Sequence, residues 1–119
     1  MGEVCIDGQW RPDELLDDTA LVWQGQEGLF IITGCSHSGI CNIVEQAIKV
    51  GGDERIHGIL GGMHLLAEDD KLTETISYLR SKGVQKLYPC HCVSLKAKAK
   101  MIAAMPVGTV GVNFTKEIE

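Results

Sequence analysis

The stretch Leu29-Phe30-Ile31-Ile32-Thr33-Gly34-Cys35-Ser36-His37-Ser38-Gly39-Ile40-Cys41-Asn42-Ile43-Val44 decides the fold. Leu29 to Thr33 is an apolar, β-branched run closed by a glycine, which reads as a strand. From Ser38 or Gly39 onward the period changes. Ile40, Ile43, Val44, Ala47 and Ile48 fall at the i, i+3, i+4, i+7, i+8 positions of a helix that buries one face. Ser38 is the expected cap of that helix, and Gly51-Gly52 its stop.

Working outward, Ala20 to Gln24 is a second strand, joined to the first through Gly25-Gln26-Glu27-Gly28 as a hairpin. On the other side come a strand at Ile56 to Leu60, a helix from about Asp70 to Lys82 with Leu72, Ile76 and Leu79 in phase, and a strand at Val84 to Tyr88. Ser94 then caps a helix with Leu95, Ala99 and Ile102 on one side, Pro106 stops it, and Val107 to Phe114 reads as a last strand. The order β-β-α-β-α-β-α-β predicts an α/β fold whose later strands are parallel, with right-handed crossover helices. Residues 1–18, with Pro12 and the acidic pairs Asp13-Glu14 and Asp17-Asp18, read as an irregular leading segment, and residues 19–119 as the folded unit.

Composition narrows the function. The 119 residues are 45% hydrophobic and 23% charged, an ordinary globular balance, with two Phe, two Trp and two Tyr, so the core must be aliphatic. A formal net charge of −5 offers no general attraction to phosphate backbones or anionic lipid, so neither nucleic acid nor membrane is an expected partner. The apolar runs are too short for a bilayer, and the start has no basic flank and apolar core of a secretory signal. Five cysteines, an odd number, point to free thiols or metal ligands in a reducing cytoplasm rather than to disulfides.

Three histidines occupy equivalent places. His37, His64 and His91 each follow a strand and precede a helix, at equal intervals of 27 residues. In open parallel sheets the carboxyl ends of adjacent strands, about 4.8 Å apart, are where ligands gather. Convergent imidazoles suit zinc, iron or nickel, and three of them with an open fourth position make a hydrolytic metal site. The alternative is that each ring is satisfied by a backbone group at its strand end. His57 lies inside a strand and reads as structural.

The cysteines crowd the same loops. Cys35, Cys90 and Cys92 are either secondary soft ligands or redox thiols, or small buried side chains near a loop. Cys90-His91-Cys92 is not a CxxC and does not indicate a zinc ribbon or iron–sulfur cluster. The turn around Ser36 and Ser38 lies beside glycines like a nucleophile elbow but lacks G-x-S-x-G, so an acylated serine is not expected. Lys96, Lys98 and Lys100 read as a solvated helix face, with a modest anion patch for a phosphate-bearing substrate as the alternative, and Glu68, Asp69 and Asp70 as acids serving a helix N-terminus, with a metal oxygen ligand as the alternative.

The stretch quoted above, with Gly61-Gly62-Met63-His64-Leu65 and Tyr88-Pro89-Cys90-His91-Cys92, resembles the carboxy-terminal half of metallo-β-lactamase-fold hydrolases. The resemblance is specifically to the dihydropterin ribofuranosylaminobenzene-phosphate synthase-like branch, and it runs over about residues 14–113. The resemblance implies one half of an αββα sandwich and a divalent metal, zinc first and iron or manganese as alternatives. It matches His37 to a ligand of the first metal and His91 to the final ligand of the second. His64 stands where the superfamily places a bridging aspartate, which makes it a ligand or a substrate contact.

Two departures accompany the match. The superfamily's HxHxDH motif is absent from this chain, and Val93-Ser94 replaces the Thr-Gly expected after the last histidine. Three functions follow as expectations. The first is a metal-dependent hydrolase in which metal-bound hydroxide attacks a phosphoester or ester of a small molecule, pterin-related or phosphate-bearing by analogy. The second is a non-catalytic half-domain that pairs with itself or with a complementary amino-terminal half, since one sheet face would otherwise be bare. The third is a thiol-based metal or redox protein.

Overall fold

The structure, a computed structural model, describes residues 2–119; Met1, the first residue of the leading segment, lies outside them. The elements are β1 (Glu3–Ile6), β2 (Gln9–Pro12), β3 (Ala20–Gly25), β4 (Gly28–Thr33), α1 (Ile40–Gly51), β5 (Ile56–Gly61), α2 (Asp70–Ser81), β6 (Leu87–Pro89) and α3 (Leu95–Ala104). β3 to β6 form a sheet in the order β3-β4-β5-β6. β3 runs antiparallel to β4, and β4, β5 and β6 are mutually parallel. This is the α/β architecture expected from the alternation of periods, with α1 and α2 as the two crossovers.

β4 is an inner strand of this sheet, and its apolar sequence suits that position: Leu29, Phe30 and Ile31 are all buried. The main core lies between the sheet and the helices, where Leu29, Ile31, Ile56, Ile59 and Leu87 meet Val44, Leu72, Leu79 and Met101. Caps set the helix starts. Asp69 accepts a hydrogen bond from the Leu72 amide at 3.0 Å, and Ser94 from the Ala97 amide at 3.1 Å.

The opposite sheet face is only partly covered. Phe30 and Tyr88 lie 6.1 Å apart between ring centroids, and Phe114 from the C-terminal segment lies 5.7 Å from Tyr88. Toward β3 the cover ends. Leu21 pairs with Ile32 and Trp23 with Phe30 on this face, and Leu21, Trp23 and Ile32 are 70%, 56% and 37% exposed.

Four expectations are corrected. The leading segment contains a hairpin, β1 with β2, whose Asp7-Gly8 turn has φ of 53° and 77°. Positive φ at both central residues suits the right-handed twist of the flanking strands. The last strand, Val107 to Phe114, does not form beyond a single bridge between Leu87 and Val107. Asn113 takes φ 63° within a turn closed from the Phe114 amide to the Gly111 carbonyl, which breaks extended backbone. Ser38 does not cap α1; Gly39 holds that position without a side-chain bond, and Ser38 bonds Asp18 instead. On α3 the buried residues are Ala97 and Met101, while Leu95 and Ile102 face solvent. The Ser94 cap and the Leu65–Val93 bridge set the phase of that helix, and small Ala97 lets it approach the core.

The packing makes a direct contrast. Leu79→Ala, at a fully buried site, is expected to lower unfolding free energy by about 2–5 kcal/mol, whereas Leu95→Ala, at a site 84% exposed, changes it by no more than about 0.5 kcal/mol in urea denaturation.

Candidate metal centre

Because β4, β5 and β6 are parallel, the loops that follow them leave from one edge of the sheet. They are laced together by the backbone. The Gly62 amide donates to the Gly34 carbonyl at 2.7 Å, and the Cys90 amide to the Gly61 carbonyl at 3.1 Å. The Leu65 amide donates to the Cys92 carbonyl, and the Ser94 amide to the Leu65 carbonyl, both at 3.0 Å. The side chain of Ser36 adds a further tie, donating to the Gly62 carbonyl at 2.6 Å beside the Thr33 hydroxyl at 2.8 Å. Ser36 is buried with its proton committed to a carbonyl, so its place is that of a loop fastener.

Each loop holds one residue in the left-handed region: Ser36 at φ 60°, His64 at 48° and His91 at 59°. Such conformations cost on the order of 1–3 kcal/mol each and persist where surrounding bonds over-determine them, a condition that the lacing meets. Gly62 is required by close approach. A β-carbon there would lie 2.6 Å from both the Cys92 sulfur and the Gly34 carbonyl oxygen.

The histidines divide into a pair and a single. The rings of His37 and His64 stand edge to face with centroids 4.7 Å apart. His64 Nδ1 is buried with no hydrogen-bond partner, alone in this among the described residues. His91 instead groups with Cys35 and Cys92, whose ligand atoms all lie within 4.8 Å of one another. The Cys92 thiol is held from both sides, accepting from the His64 amide at 3.2 Å and donating to the Cys35 carbonyl at 3.3 Å. Cys90 does not join this group; its contribution is the amide bond to Gly61. His57 stands in β5 beside Glu27 at 3.1 Å and Gln85 at 3.3 Å, as a structural residue.

Asp18, not singled out in the sequence, fixes the first loop. Its Oδ2 accepts from the Ser38 amide at 2.9 Å and the Ser38 hydroxyl at 2.6 Å. Burial pushes this carboxyl up, but the two bonds from Ser38, with His37 nearby, outweigh it and hold the group below its ordinary range. Among the acids after His64, Asp69 is used as a helix cap. The donors brought together are therefore imidazole nitrogens and sulfurs, a borderline-soft set that fits a divalent transition ion. A buried imidazole nitrogen without a hydrogen-bond partner, as at His64 Nδ1, is compatible with such an ion.

No family model matches the sequence. A 7,8-dihydropterin-6-methyl-4-(β-D-ribofuranosyl)-aminobenzene-5′-phosphate synthase of Methanocaldococcus jannaschii is 36% identical over 87 residues, which is 72% of this chain and 30% of that protein. An uncharacterized protein of the same organism is 40% identical over 99 residues, 82% of this chain and 36% of its own length. Among solved structures, the crystal structure of a metal-dependent hydrolase of the β-lactamase superfamily superposes with a TM-score of 0.83 at 30% identity, covering 98% of this chain and 47% of that one. The chain spans about a third of the curated relatives it matches and about half of the solved structure.

The close approach at Gly62 generates a test. Gly62→Ala is expected to cost about 1–3 kcal/mol of stability and to speed the reaction of Cys92 with a thiol reagent, because the Gly34 backbone must give way. Unchanged stability and unchanged Cys92 reactivity would show that the loops are not closed around this glycine.

Proposed function

The chain belongs to the metallo-β-lactamase superfamily, and on that premise we propose that it supplies part of the metal centre of a hydrolase acting on an ester or phosphoester. The observation that carries this reading is the buried, unpartnered Nδ1 of His64 set against the His37 ring. His37, His64 and His91 would hold the ion, with zinc first among the ions that imidazole suits and iron or manganese as alternatives. When bound, such an ion supplies Lewis acidity and lowers the pKa of a coordinated water toward neutrality.

The chain's own residues do the positioning. Asp18 clamps Ser38 and so orients the loop that carries His37, while Ser36 and the interloop amides hold that loop to the one carrying His64. A phosphate-bearing, pterin-related substrate is the finer reading, supported by the name of the 36% identical relative. Five free thiols support a reducing, cytoplasmic setting, and among the described residues no helix is long and apolar enough to cross a membrane.

A second reading is favoured by the bare sheet face and by the absence of HxHxDH from this sequence. In it the chain is one half of the sandwich, and the complementary amino-terminal half covers Leu21, Trp23 and Ile32 and brings the remaining ligands. Burial of such a face is worth about 25 cal/mol per Å² of apolar surface.

Metal analysis separates these ideas from a purely structural role for the histidines. Protein purified without chelator is expected to carry zinc, iron or manganese, and His37→Ala and His64→Ala are each expected to weaken metal binding by about tenfold or more while leaving the circular dichroism unchanged. Metal content equal to wild type in both variants would overturn the assignment. For the second reading, light scattering of the chain alone is expected to show association that Trp23→Lys abolishes or, with the complementary half added, a mixed complex. A monomer indifferent to that half would count against it.

A further inference from the structure

We propose that Cys35, Cys92 and His91 form a site of their own for a thiophilic d10 cation, of which Zn²⁺ and Cd²⁺ are representative. This goes beyond the histidine-based hydrolase reading, with which it shares only His91. Two sulfurs and an imidazole nitrogen, drawn from the loops after β4 and β6, lie within 4.8 Å of one another. Tetrahedral zinc, with bonds of about 2.3 Å to sulfur and about 2.0–2.1 Å to nitrogen, holds its sulfurs about 3.8 Å apart. Side-chain rotation of about an ångström closes that difference.

The geometry leaves one of the sulfurs facing a backbone donor. The His64 amide points at Cys92 Sγ from 3.2 Å, a bond that strengthens when the sulfur carries charge. Gly62, lacking a side chain, leaves the space that Cys92 Sγ occupies next to Cys35. His91 is exposed and held at φ 59°, so its ring stays accessible to an incoming ion. Binding exchanges two S–H bonds for two sulfur–metal bonds and releases two protons to water. The other thiols stand apart: Cys5 on β1, Cys41 on α1, and Cys90 outside the cluster.

Titration with Cd²⁺ alone, followed by the ultraviolet thiolate-to-cadmium charge-transfer band, tests the proposal without any assay of turnover. Wild type is expected to develop the band; Cys35→Ser and Cys92→Ser each reduce it by about half, and the double variant loses it. Cys41→Ser, Cys90→Ser and His37→Ala are expected to retain it in full, and retention in His37→Ala separates this site from the hydrolase reading. No band in wild type, a full band in the folded double variant, or loss of the band in His37→Ala would overturn the proposal. Should circular dichroism show the double variant unfolded, alkylation of wild type decides: Zn²⁺ is expected to slow modification of Cys35 and Cys92 about tenfold or more without protecting Cys5, and equal rates overturn it.

Discussion

Everything at the candidate centre depends on a short set of backbone hydrogen bonds between loops that are far apart in sequence. The bonds from Gly62 to Gly34, Cys90 to Gly61, Leu65 to Cys92 and Ser94 to Leu65 extend the parallel sheet's own connectivity past the strand ends. Each net bond is worth only about 0.5–1.5 kcal/mol, but together they offset the left-handed backbone at Ser36, His64 and His91. A ligand shell needs this kind of support, because donors on untethered loops would pay the ordering entropy at the moment an ion arrives.

The sheet behind these loops explains why they meet. β4 is buried along most of its length, and two crossover helices return the chain to the same edge each time, so residues separated by one crossover become neighbours. One face of the sheet packs against the helices, and on the other Phe114 folds over Tyr88, which lies beside Phe30. Toward β3 that second face carries the exposed Leu21, Trp23 and Ile32.

Much of this was legible in the sequence. The 3.6-residue stripes of α1 and α2 and the apolar run of β4 dictate their elements, and glycines mark their ends. The placement of His37, His64 and His91 after successive strands was readable from spacing alone. The grouping of His91 with Cys35 and Cys92 was not, because it depends on side-chain directions and on the space at Gly62. The β1–β2 hairpin had a visible signal in Asp7-Gly8, but its short strands lie at the surface and carry no long apolar run. On α3, Leu95 and Ile102 are larger than Ala97, so hydropathy favoured the wrong face; the cap at Ser94 and the bridge at Val93 set the observed one. Asp18 escaped notice because its role rests on a contact with Ser38 twenty residues away.

The central claim is that the three loops form one metal-binding rim, and anomalous diffraction from crystals grown with zinc tests it most directly. The account predicts an anomalous peak at the zinc edge within bonding distance of donors among His37, His64, His91, Cys35 and Cys92. Well-ordered loops with no peak there, or zinc found only on surface carboxylates, would contradict it.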